Sequence, residues 1–159
     1  MEDWIVHLAT LFPEARLKHI IEMRGIDAQG AELAVAASAF FKGLFYDATS
    51  LTQVEAMVGK FERAELEEYR RRVPSEGYGA TLAGKGTREY AEALLEIAEG
   101  GLARIDEVWA SSRDGERRYL DPIAELIQRG ENPAARLLRE AGDREGQELR
   151  DFLLEFARF

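Results

Sequence analysis

"LKHIIEMRGID", residues 17–27, decides how the chain is read, because it sets one Glu and one Arg two positions apart inside an apolar run. In a strand, successive side chains alternate between faces. His19, Ile21 and Met23 then share one face, and Lys18, Ile20, Glu22 and Arg24 share the other. A carboxylate and a guanidinium projecting together from a rigid strand suit a metal ion and a phosphate. They suit a plain ion pair equally well, and on the residues alone the ion pair comes first. Gly25 and the turn-like "DAQG" at 27–30 close the stretch. One strand cannot satisfy its own backbone hydrogen bonds. The expectation is therefore a partner strand in the Gly-rich segment "PSEGYGATLAGKG" or a sheet supplied from elsewhere.

The rest of the chain reads as helices. "EDWIVHLATLF" carries Trp4, Ile5, Leu8 and Leu11 at helical spacing before Pro13. From Ala31 to Tyr46 the composition is apolar on nearly every side, which predicts a helix buried on most faces. Ser50-Leu51-Thr52-Gln53 reads as a capping box for a short helix through Val58, and "RAELEEYRRRV" as a helix ending at Pro74. Thr87 is the expected cap of the longest helix, about Arg88 to Ala110, whose Leu94, Ala98, Leu102, Ile105 and Trp109 form one apolar stripe. Gly100 and Gly101 in its middle predict a bend or a close packing contact. "LDPIAELIQRG" starts with Asp121 as cap and Pro122 at the first helical position, "NPAARLLREAG" repeats that grammar, and a last amphipathic helix runs from about Arg144 to the end.

Composition narrows the function classes. A chain of 159 residues with 46% hydrophobic and 32% charged residues suits one ordinary domain, 1–159, with a real core. No composition shift or repeat marks a second domain. The net charge of −9 argues against nucleic acid or an anionic membrane as partner. The chain has no cysteine, which removes thiolate chemistry and Cys-based zinc sites and fits a reducing compartment. The start lacks the form of a charged-then-apolar leader, and no apolar run approaches a membrane span. These features together read as a cytoplasmic chain. His7 and His19 lack metal-ligand spacing and read as packing or surface residues. "GATLAGKGT", residues 79–87, almost spells a phosphate-binding loop, but Gly86 stands where a hydroxyl is needed and Thr87 comes one residue late. Its glycines read as turn residues.

Residues 7–27, "HLATLFPEARLKHIIEMRGID", closely resemble a stretch of the glutamate–cysteine ligases of plant and proteobacterial type. "GLFYD" (43–47), "EIAEGGLARI" (96–105), "YLDPIAELIQRGENPAARLL" (119–138) and the terminal "LEFARF" resemble the same family in the same order, so the likeness covers nearly the whole chain. The resemblance implies an ATP-dependent ligation: the γ-carboxylate of glutamate is phosphorylated, and the amine of cysteine then displaces phosphate. It implies Mg²⁺ beside the nucleotide, with Glu22 as a metal ligand and Arg24 as a phosphate-facing, catalytic guanidinium. Arg16 and Lys18 are further candidates for that anionic neighbourhood. It thereby reverses the order of the two readings of Glu22 and Arg24.

The departures bear on function. Nothing here resembles the N-terminal part of the family, which carries further glutamates, so the chain looks like a C-terminal portion. A cysteine of plant members falls near Val35, and "REAGDREGQELRD" lacks the Trp-Gly and Asp-Pro features common near the family's C-terminus. The expected architecture is mainly α (α+β), five to seven helices with one to three strands near the N-terminus. Three functional readings follow. One is a ligase component completed by a missing N-terminal portion, with no turnover alone. Another is a noncatalytic helical module that forms a homo-oligomer through its strand. A related carboxylate–amine ligase with another amine substrate is a third.

Overall fold

The computed structural model describes residues 7, 14–17, 19–109 and 115–156. The helix expected around Trp4 to Leu11 lies outside them apart from His7, as do Lys18 and the last three residues. The described chain is mainly helical, with two small antiparallel strand pairs. The elements run β1 (Ala15–Leu17), β2 (Ile21–Met23), α1 (Ala31–Phe45), α2 (Ala48–Val58), α3 (Arg63–Glu76), β3 (Thr81–Leu82), β4 (Lys85–Gly86), α4 (Thr87–Trp109), α5 (Asp121–Arg129), α6 (Pro133–Ala141) and α7 (Gly146–Phe156). Single 3-10 turns precede β3 and α5. Among the described residues no helix is long and apolar enough to cross a membrane.

The expected lone strand is half of a hairpin. Its partner is neither the Gly-rich segment nor another chain but the residues just upstream, with Ala15, Arg16 and Leu17 opposite Met23, Glu22 and Ile21. The Arg24 N–H donates to Glu14 O at 2.7 Å, which carries the ladder one pair further. The Gly-rich segment makes its own hairpin, with Ala83 (φ 48°) and Gly84 (φ 81°) at the turn. Both central residues at positive φ give the tight two-residue connection that matches strand twist.

The core forms where α1 crosses α4. Ala39 and Leu44 of α1 meet Ala98 and Leu102 of α4, with Leu120 closing the end and Phe40, Val54, Leu94, Leu95 and Ile97 packed around them. The crossing is close because two glycines face each other. A Cβ on Gly101 would stand 2.0 Å from the Gly43 carbonyl oxygen, and one on Gly43 would stand 2.3 Å from that of Ala98. So α4 uses its glycine for contact. Burial on α1 is confined to Ala36, Ala39, Gly43 and Leu44, and Val35 is exposed. That corrects the expectation of a helix buried on most faces. Trp109 likewise leaves the expected stripe, 75% exposed at the end of α4, because the core contact stops at Ile105.

Several helix ends differ from expectation, each for a local reason. Asp47, not Ser50, caps α2, accepting from the Ser50 N–H at 2.8 Å. α3 passes through Pro74, whose missing N–H forfeits one i→i−4 bond, and stops at Gly77 (φ 53°). Gly86 precedes α4, and its N–H is taken by the Glu89 carboxylate at 2.9 Å. Thr87 instead donates to the Ala80 carbonyl at 2.8 Å, tying the second hairpin to the helix. Asp121 continues a 3-10 turn and makes no cap bond, whereas Asn132 caps α6 as expected, accepting from the Ala135 N–H at 2.8 Å.

The glycine crossing makes a sharp prediction. Gly101→Ala is expected to lower stability by at least ~2 kcal/mol, because backbone cannot yield to the new methyl without parting the helices. Gly100→Ala, one residue away, meets only the Arg104 guanidinium at 3.3 Å and is expected to fall within about 1 kcal/mol of the parent. Urea unfolding of the two variants checks this; equal stabilities would contradict the contact.

Candidate functional site

The N-terminal hairpin collects the residues that the sequence points to. Strand alternation puts Arg16, Glu22 and Arg24 on one face. Arg16 Nε donates to Glu22 Oε2 at 2.9 Å, and its Nη2 lies 2.7 Å from the same oxygen. The two side chains are 17% and 36% exposed, so a cross-strand charge pair is partly withdrawn from water. Arg24 is half-buried on that face. Glu14, opposite Arg24, is ion-paired with Arg70 of α3, which ties the hairpin to the helical body. Lys18 lies outside the described residues. The structure therefore brings Arg16 and Glu22 together and keeps Arg24 on their face.

The donor set for a metal is sparse. Among the described residues no three His, Cys, Asp or Glu side chains converge on a point. Glu22 offers a single carboxylate held by a guanidinium. Magnesium is often bound by one or two carboxylates together with substrate phosphates and water. The hairpin face fits one edge of such a site and no more. Neither of two larger concavities touches it. One, of about 460 Å³, lies between α2 and the second hairpin and includes Lys60, Phe61, Lys85 and Tyr90. The other, of about 670 Å³, lies at the start of α1, and both its arginines are ion-paired, Arg129 with Glu125 and Arg136 with Glu140.

A second polar cluster went unread in the sequence. Asp47 Oδ2 accepts from Arg104 Nε (3.0 Å), Arg104 Nη2 (2.8 Å) and the Ser50 N–H. Ser50, fully buried, donates to the Ile97 carbonyl at 3.1 Å and accepts from Arg104 Nη2 at 3.0 Å. The buried Ser50 hydroxyl is thus satisfied both as donor and as acceptor. The Arg104 hydrogen bonds hold the Asp47 carboxyl well below its usual range, at about 2, against the opposing effect of burial. Lys42 meets both Glu116 carboxylate oxygens at 2.7 and 2.6 Å, and the Glu116 N–H donates to Asp106 at 2.8 Å. The available signal was the pairing of "GLFYD" with "EIAEGGLARI", whose last polar residues, Asp47 and Arg104, meet here. The geometry makes this cluster a clamp rather than a reaction centre, since each charge points at another element of the fold.

Because the folded state holds Asp47 at about 2, below the ordinary 3.8, its contribution is present above pH 3.8 and is lost as pH falls toward 2. Asp47→Asn is expected to cost on the order of 1–2 kcal/mol at pH 7, allowing for the partial exposure of Arg104. It is also expected to flatten the stability profile between pH 4 and 2. Denaturant midpoints measured across that window test both; an unchanged acid limb would contradict the clamp.

Comparison with known proteins agrees with the motifs. Residues 1–152 match the sequence model of glutamate-cysteine ligase family 2 (GCS2). Glutamate–cysteine ligase A, chloroplastic, of Oryza sativa subsp. indica is 36% identical over 138 residues, covering 87% of this chain and 27% of the relative. The chloroplastic glutamate–cysteine ligase of Medicago truncatula is 36% identical over 138 residues, covering 87% and 26%. That of Arabidopsis thaliana is 34% identical over 145 residues, covering 91% and 26%. The chain spans about a quarter of the length of the curated relatives it matches. With nearly its whole length matched by the family model, the chain belongs to glutamate-cysteine ligase family 2.

Proposed function

We propose that this chain forms the C-terminal portion of an ATP-dependent glutamate–cysteine ligase and supplies one edge of its nucleotide site through the N-terminal hairpin. The observation that carries the reading is the gathering of Arg16, Glu22 and Arg24 on one half-buried face of a short, rigid element. Phosphorylating a carboxylate places negative charge on the transferring group, and fixed cations aimed at it are the protein's main contribution. Arg24 fills that role at the γ-phosphoryl group. Arg16 positions Glu22 through its two contacts to Oε2, and Lys18 adds a third cation beside the polyphosphate. Glu22 would hold Mg²⁺, which when bound neutralises phosphate charge; further ligands come from the phosphates and from a missing N-terminal ligase portion. Glutamate and cysteine are the substrates of the completed site, and the chain alone has no turnover. A cytoplasmic setting belongs to the same reading, supported by the lack of cysteine; the plant relatives are named as chloroplastic.

A second reading is a noncatalytic interaction module, favoured by the Arg16–Glu22 pair, which satisfies the carboxylate with no metal. In that case the hairpin supports a homo-oligomer. A related carboxylate–amine ligase is a third, since no residue here marks the amine pocket.

Calorimetric titration of the chain with Mg·ATP separates these. Saturable binding is expected, weakened at least tenfold by Arg24→Ala, with Glu22→Gln reducing affinity only when magnesium is present. No binding at millimolar nucleotide would overturn the nucleotide-edge reading in favour of the module.

A further inference from the structure

The hairpin is turned inside out. Its charged residues occupy the half-buried face, while Leu17 and Ile21 are 81% and 71% exposed on the other. Leu17 stands directly opposite Ile21, and Ala15 opposite Met23, so all four side chains lie on one side of the strand pair. Ile20 and Ile26 are exposed at its flanks. An antiparallel pair with one dry face normally turns its apolar residues inward. A slip of register would right it, but the ladder and the Arg16–Glu22 pair fix the register as it stands. An exposed, contiguous apolar surface of this kind marks an interaction site.

We infer that this outer face, Ala15, Leu17, Ile21 and Met23, is the seat for the part of a ligase polypeptide that this chain does not represent, received through an apolar sheet or helix face of that part. The inference rests on reading the chain as one portion of a ligase. Two observations choose this occupant over a second copy. The relatives carry about three-quarters of their length outside the matched region, so a large body of chain must meet this domain. A second copy would bring together two chains that each carry a net charge of −9, and the two bodies would repel. The seat is also continuous with the candidate site, because one two-stranded element bears both faces. Docking on the outer face would hold the charged face in place.

The test mixes the chain with the rice ligase from which the region matched by this chain has been deleted, followed by light scattering and fluorescence anisotropy. A saturable one-to-one complex is expected, weakened at least tenfold by Leu17→Asp with Ile21→Asp. Leu154→Asp, at an exposed position on α7, is expected to leave it unchanged. A second arm replaces the matched region of the intact rice ligase with this chain and compares hydroxyl-radical labelling of Leu17, Ile21 and Met23 with that of the chain alone. Several-fold protection is expected; equal labelling would overturn the inference whether or not the deleted ligase folds. If the chain alone forms a dimer that Leu17→Asp breaks, a second copy is the occupant and the inference falls. Loss of docking with Arg24-dependent Mg·ATP binding intact would sink this inference alone. Docking that holds while nucleotide fails to bind would sink the nucleotide edge alone.

Discussion

The near-contact of the Gly43 and Gly101 backbones is the constraint on which the rest of the structure depends. With no side chain between them, α1 and α4 approach until carbonyl oxygens occupy the space where a methyl would stand. That approach puts Asp47, just past the end of α1, within reach of Arg104, one turn further along α4. It also buries Ser50 at a distance where its hydroxyl can bridge the Ile97 carbonyl and the guanidinium. Bulkier residues at either glycine would move the helices apart, strand a buried hydroxyl and separate an ion pair in one step. Packing and polar satisfaction are here a single device, and neither can be altered alone.

This gives the family-like blocks a physical meaning. "GLFYD" and "EIAEGGLARI" lie far apart in the chain and face each other in the crossing. "YLDPIAELIQRG" contributes Leu120 to the same core. In this chain the three blocks meet at one helix crossing. The stretch that opens with Glu14 is different: none of its described residues belongs to that core cluster.

Much of the helical frame was legible because its punctuation is local. Asn132-Pro133 starts a helix, and Gly130 (φ 63°) and Gly142 (φ 56°) end two. The turn at Ala83-Gly84 was legible as a hairpin or loop for the same reason. The failures came where a distant partner overrode a local signal. Ser50-x-x-Gln53 has the form of a capping box, yet tertiary burial claims the Ser50 hydroxyl and leaves the cap to Asp47. Thr87 was diverted in the same way to the Ala80 carbonyl. At the candidate site, the alternation that set Glu22 and Arg24 on one face was readable from residue order. The identity of the carboxylate's partner was not, because Arg16 lies on a strand of three residues, too short to show periodicity. Pro74 misled as a stop signal because the loss of one donor did not end the helix, which runs on to Glu76.

The Glu14–Arg70 pair has a mechanical consequence. It joins the hairpin to α3 through two side chains that are both more than half exposed. An exposed pair contributes only roughly 0–1 kcal/mol and is screened by salt. From Arg24 to Gly30 the chain runs without helix or strand before α1 begins. Among the described contacts, the latch to α3 is therefore weak, and the link to α1 carries no regular structure. Ionic strength sets how tightly this latch closes, so salt acts on the charged face of the hairpin through a helix that bears none of its candidate residues.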